Sequence, residues 1–123
     1  MDLGFAGHAV LGIDFGYTVA VRFGGGYEVR VEGPFVLWAD GLGREIELGR
    51  DADASGVARL SGQVVSLARA DDSGGLRIEF AGGMRLVATP DSNFEAWTVA
   101  GPGGLKVVCR PGGELAVWSR DRA

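Results

Sequence analysis

The sequence has a single cysteine, a single histidine and a single lysine, with four prolines in its 123 residues. Each scarcity excludes something. Cys109 alone cannot form an internal disulfide, and its place in an alternating apolar run predicts a small buried core residue rather than a nucleophile. A Ser-His-Asp or Cys-His site would have to use His8, which lies in a glycine-flanked lead-in with no partner nearby in sequence. One His and one Cys do not build an ordinary zinc site. No apolar run approaches the roughly 20 residues of a membrane-spanning helix, and the first residues lack the basic start and continuous apolar stretch of a signal peptide. The expected location is therefore cytoplasmic, with no membrane partner. Positive charge is also short. The formal net charge is −4 and the pI about 4.9, which argues against nucleic acid as a partner and leaves a basic protein partner open.

Glycine is abundant, with 22 residues. They fall at turn positions between alternating apolar runs, the pattern of many short strands. Two such stretches repeat one another. Residues 19–38, VAVRFGGGYEVRVEGPFVLW, match residues 76–97, LRIEFAGGMRLVATPDSNFEAW. Phe23 aligns with Phe80, Gly26 with Gly83 and Val29 with Leu86, a constant offset of 57 positions. Phe35 and Trp38 then align with Phe94 and Trp97 at an offset of 59, which places a two-residue insertion before Phe94. Each copy reads as a hairpin with a glycine turn followed by a third strand, because period-two alternation puts one side of a strand on a core and the other toward water. Residues 107–118, VVCRPGGELAVW, echo the pattern more weakly and predict a last hairpin closing the sheet.

Around these copies, residues 1–8 read as a lead-in and residues 9–15 as a first strand. Residues 44–48 read as an edge strand. Residues 50–59 predict a short helix capped by Asp51 or Asp53. Residues 62–70 predict a strand equivalent to the first one, with Gly62 opposite Gly12. The expected fold is all-β: one domain over residues 1–123 with an internal duplication and a pseudo-two-fold. It forms a barrel-like roll or sandwich of about ten short strands. The first half spans about 9–48, a linker with the short helix about 50–60, and the second half about 61–118.

Three strings imitate known motifs. Asp14-Phe15-Gly16 matches the metal-binding tripeptide of protein kinases, but the chain is too short for that fold and lacks its other signatures. Asp72-Ser73-Gly74-Gly75 has the look of a protease serine neighbourhood but sits at a predicted hairpin tip. The glycine clusters at 24–26 and 101–104 are not followed by a helix, so they do not form a phosphate cradle. The expectation is no enzyme, no metal and no cofactor. The aromatics carry the remaining functional signal. Trp38, Trp97 and Trp118 each lie where a predicted strand meets a loop, and Asp40, Asp91 and Glu95 stand nearby. Tryptophan is enriched at binding hot spots, so Trp38, Asp40, Asp91, Glu95 and Trp97 are the expected partner-binding residues.

The strand pair Gly75 to Leu86, the segment Pro90 to Trp97 and the ending Pro111 to Trp118 together resemble a family of small, uncharacterised β-rich proteins, mostly actinobacterial. The resemblance covers most of the chain and its motifs are structural. It implies no catalytic residues. Small acidic β-rich proteins of this kind are often encoded beside secreted toxins as immunity proteins. The resemblance thus implies a non-enzymatic protein-binding module occluding a basic toxin domain with acidic loops and tryptophans. The alternatives are a β-barrel binding a small ligand in its interior and a homo-oligomeric module, such as a homodimer, pairing through strand edges.

Overall fold

The computed structural model describes residues 1–119. Among them are eleven strands and one α-helix in two antiparallel sheets. The chain begins with β1 (Val10–Phe15), β2 (Val19–Phe23) and β3 (Glu28–Val31), then crosses to the other sheet as β4 (Phe35–Ala39) and β5 (Leu42–Ile46). Helix α1 (Asp51–Ala58) follows, then β6 (Val65–Ala70), β7 (Leu76–Phe80) and β8 (Arg85–Ala88). The second crossing leads to β9 (Trp97–Ala100), β10 (Lys106–Cys109) and β11 (Leu115–Trp118). One sheet has the order β1-β2-β3-β9-β10-β11 and the other β5-β4-β8-β7-β6. Neither closes on itself, so the architecture is a sandwich rather than a barrel.

The duplication is visible strand by strand. Val21 pairs with Val29 in the first hairpin and Ile78 with Leu86 in the second, each 57 positions on. Both opening strands carry an irregularity at the same place, between Val10 and Gly12 in β1 and between Val65 and Leu67 in β6. Each copy gives three strands to one sheet and then crosses to the other, the first copy with two strands and the second with three. This exchange sets β3 against β9 and β4 against β8, and one core is made from both halves.

The inward row follows the alternation. Val19, Val21 and Phe23 are buried on β2, Leu76, Ile78 and Phe80 on β7, and Val29, Val31 and Leu86 on the return strands. Trp97 is completely buried, with Phe5, Ile46 and Leu60. Burying such side chains contributes roughly 1.5–3 kcal/mol each and holds the two sheets face to face.

Four expectations are corrected. First, the crossing strands match by register and not by residue type. Val29 pairs with Val99, whereas its counterpart Leu86 pairs with Leu37. Leu37 therefore corresponds to Val99, at an offset of 62 rather than 59. Phe35 corresponds to Trp97, and the insertion before β9 is five residues long. Second, Gly12 pairs with Arg22 and Leu67 with Glu79, so Leu67, not Gly62, is the equivalent of Gly12. Third, the N-cap of α1 is Arg50, with no side-chain cap. Asp53 instead reaches back, accepting hydrogen bonds from the Glu47 N–H at 3.0 Å and from Arg44 at 3.0 Å. It is buried, and these contacts fix the turn between β5 and the helix. Fourth, the first residues are structural. They run along the free edge of β6, with Leu3 N–H on Ala68 O, Gly7 N–H on Val65 O and Val65 N–H on His8 O, and they bury Leu3 and Phe5. An edge that would otherwise offer unpaired backbone groups is thereby covered.

Candidate functional site

The two crossings, residues 32–34 and 89–96, run beside each other where the halves exchange strands. Glu32 N–H donates to Ala96 O at 2.9 Å, and a Cβ placed on Gly33 would lie 3.4 Å from the Phe94 ring. Between them is an open groove of about 310 Å³. Pro34, Phe35, Val36, Val87 and Phe94 form its apolar lining, with Glu45 and Asp91 at its rim. Phe94 is 42% exposed and lies beside the other apolar residues of the groove rather than alone. The loop that carries it is built by turn chemistry. The Asp91 carboxylate accepts from Asn93 N–H at 2.7 Å, and Asp91 O accepts from Gly112 N–H at 2.8 Å. The loop is thus tied to the β10–β11 turn.

The five expected partner-binding residues do not form one patch. Asp91 lines the groove together with Phe94, whereas Glu95, the exposed residue after Phe94, does not line it. Trp38 faces outward near the other end of β4, half-buried, with the Arg85 guanidinium 4.9 Å from its ring centre. Asp40 lies past that end at φ 55°, paired with Arg59 at 3.2 Å. Trp97 has no exposed surface, and its indole Nε1–H donates to Gly74 O at 2.9 Å. It is a core residue, because its true counterpart is the inward Phe35, and it offers a partner nothing to touch. Phe94 was hidden in the sequence by its alignment with Phe35, although the string Pro90-Asp91-Ser92-Asn93 before it is turn chemistry and places it in a loop.

A protein-family model spans residues 1–119 of the chain. The chain belongs to the family of unknown function DUF6188. No curated protein and no solved structure matches it.

The ionisable groups of this DUF6188 protein with displaced pKa values serve the fold. The Gly75 N–H, the Ser73 hydroxyl and further loop N–H groups hold the Asp71 carboxyl below its ordinary value of 3.8. The Asp72-Ser73-Gly74-Gly75 string is thus a turn, organised by the residue before it. The Glu47 N–H, and after it the Arg44 guanidinium, depress Asp53 in the same way against an opposing effect of burial. Desolvation pushes the Cys109 thiol upward, with the Asp71 charge acting in the same direction. The thiol is buried and donates to Gly74 O. Among the described residues no group of three or more His, Cys, Asp or Glu side chains is placed to hold a metal ion, and no helix is long and apolar enough to cross a membrane.

The two depressed carboxyls give a pH dependence with a defined sign. A folded pKa below the unfolded one means the folded state prefers the carboxylate, so the stabilisation is full above about pH 5. It is lost as pH falls through 3.8 and then through the lower folded values. Urea midpoints are expected to be flat from neutral pH to about pH 5 and to drop below about pH 4. Asp71→Asn is expected to lower the midpoint at pH 7 and to converge with wild type in acid. Parallel wild-type and variant curves over the whole range would show that Asp71 has no such role.

Proposed function

We propose that this DUF6188 protein is a non-enzymatic protein-binding module of the immunity type, which engages a basic partner through the crossover groove. The observation that carries this reading is the exposed Phe94 over an apolar groove with Glu45 and Asp91 at its rim. A groove of this kind takes an apolar anchor side chain, and acids around it draw a cationic surface into register and speed association. The net charge of −4 acts in the same direction. The interior supports a protein partner over an enclosed small ligand, since the space between the sheets is occupied by Trp97, Phe5, Ile46, Leu60 and the inward valines. A second reading, self-association through the edge of β11, is favoured by Val117 and Trp118, which are 47% and 54% exposed.

The test is affinity capture of the tagged protein at low and high salt. Any partner found is then purified and titrated calorimetrically against wild type, Phe94→Asp and Glu95→Lys. The expected result is one stoichiometric partner, weakened by salt. Phe94→Asp should reduce its affinity by about 30-fold or more, as for a hot-spot residue, and Glu95→Lys should slow its association. A partner that binds Phe94→Asp as tightly as wild type overturns the groove reading. A stable dimer by light scattering that persists in Phe94→Asp moves the case to the β11 edge.

A further inference from the structure

The outer face of the five-stranded sheet carries a second feature, opposite in charge to the first. Trp38, Arg85, Glu79, Arg77 and Val87 point outward together. Arg85 lies between Glu79 and Trp38 in the ladder, and Arg77 is directly opposite both Arg69 and Val87. Arg77 and Arg85 are therefore diagonal neighbours, at a spacing of roughly 7–8 Å on one face. Between them and Trp38 is a groove of about 410 Å³ with Thr89 and Asp71 at its border. Its local charges are not balanced. Glu79 is taken by Arg77, at 2.5 Å. The Asp71 carboxylate is turned into its own loop by the Ser73 and Gly75 donors. Arg85 has no ion pair among the described residues, and its Nε is shielded from solvent without a hydrogen-bond partner. Its guanidinium is held instead against the Trp38 indole, which lies over Gly43 on the neighbouring strand: a Cβ there would be 2.9 Å from the ring and would push the indole aside.

A guanidinium fixed on an aromatic ring keeps its two terminal Nη groups free and pre-oriented in the ring-parallel plane, an arrangement that reads a carboxylate end-on with two parallel hydrogen bonds. We infer that the Trp38–Arg85–Arg77 groove is a recognition site for a carboxylate of an acidic peptide segment. Arg69, Arg77 and Arg85 stand on and beside this groove against Glu79 and Asp71, three cations to two carboxylates, so the site carries one net positive charge. That matches the single charge of a carboxylate rather than the near-dianion of a phosphate. Thr89, Ala88 and Val87 border both this groove and the Phe94 groove. One extended segment can therefore place an apolar anchor in the first and an acidic side chain in the second. The inference extends the protein-binding reading and rests on it only for the identity of the partner.

The test uses the full chain labelled with ¹⁵N and three short peptides of equal length: glutamate-rich, lysine-rich, and one carrying phosphoserine in place of the glutamates. The signals followed are the indole N–H of each tryptophan and the Nε–H of Arg85. The glutamate peptide is expected to shift Trp38 and Arg85 while leaving the buried Trp97 unmoved, which also reports that the fold is intact. Arg85→Gln should weaken it about tenfold or more, since it removes the charge-assisted hydrogen bonds to the carboxylate, and Arg77→Gln should weaken it too, because it leaves the Glu79 carboxylate without its partner beside Arg85. Phe94→Asp should leave it unchanged, which separates this site from the crossover groove. The inference is overturned by no shift at Trp38 and Arg85 at millimolar peptide or by equal affinity for the lysine peptide. It is equally overturned by tighter binding of the phosphopeptide or by wild-type affinity in Arg85→Gln.

Discussion

Replacing Gly113 by alanine is expected to destabilise the protein by about 3–5 kcal/mol, near the limit of what a small domain survives. Gly113 lies in the turn between β10 and β11 at φ 99°, packed backbone to backbone against the turn between β6 and β7. A Cβ there would overlap the Ser73 carbonyl oxygen. That obstacle is main chain, so no rotamer change removes it. The converse substitution, Gly74→Ala, meets the same wall from the other side: φ is 95° and its Cβ would lie 2.5 Å from the Gly113 Cα. Gly112 is the internal control. It has φ 86° but open space around its missing side chain, so Gly112→Ala should cost only the conformational strain, about 1–2 kcal/mol. Urea unfolding separates the two contributions. A midpoint shift for Gly113→Ala no larger than that for Gly112→Ala would mean that the turn contact yields freely and does not clamp the sheets.

That contact was not legible in the sequence, and the reason is physical. Alternation and glycine placement specify hairpins, because the two strands of a hairpin are neighbours along the chain and share one turn. The hairpins β2–β3, β7–β8 and β10–β11 accordingly appear where the pattern puts them. Contacts between turns belonging to different sheets have no period. Gly74 and Gly113 look like any other turn glycines until they are brought together. The crossing strands were legible as strands but not in register. Phe35 and Trp97 differ in type yet occupy the same place, because both turn inward beside the core and the loop before Trp97 is longer. The edge cover at residues 1–9 was hidden for a simpler reason. It contributes only Leu3 and Phe5 to the core, and the glycines at 4 and 7, with φ of 86° and 90°, interrupt any alternation.

The candidate site shows the same division. Acids in loops beside aromatics were readable from composition and spacing, and Asp91 and Glu95 do flank an exposed aromatic. Which aromatic it is depends on register. Trp97 was counted among the partner-binding residues, and Phe94 carried no signal beyond its match to Phe35. The ladder turns Trp97 inward, and Phe94 is left exposed in the loop before it. Arg85 and Arg77 carried no signal in sequence because an outward arginine on a strand is ordinary. Their meaning comes from the side chains set beside them, Trp38 on β4 and Glu79 on β7.

Trp97 provides the sharpest separation between a structural and a binding role. Trp97→Ala is expected to cost about 3–5 kcal/mol through the cavity it leaves. Trp97→Phe keeps most of the apolar volume but removes the indole donor from the Gly74 carbonyl. That buried oxygen then has only the weak Cys109 Sγ–H, at 3.3 Å. An under-satisfied buried carbonyl costs about 1–3 kcal/mol, so the phenylalanine variant should fold with a clearly lowered urea midpoint. The consequence is local, because Trp97 on β9 and Cys109 on β10 both grip the turn between β6 and β7 and thereby join the two sheets. Loosening that grip exposes the thiol, which in the native protein is buried and held protonated by desolvation. Its modification by a thiol reagent should be slow in wild type, faster in Trp97→Phe and fastest in Trp97→Ala. Partner affinity, measured below the unfolding midpoint, should be the same for wild type and Trp97→Phe, since no part of the indole reaches the surface. A phenylalanine variant with wild-type stability and lost partner binding would reverse the assignment and return Trp97 to the interface.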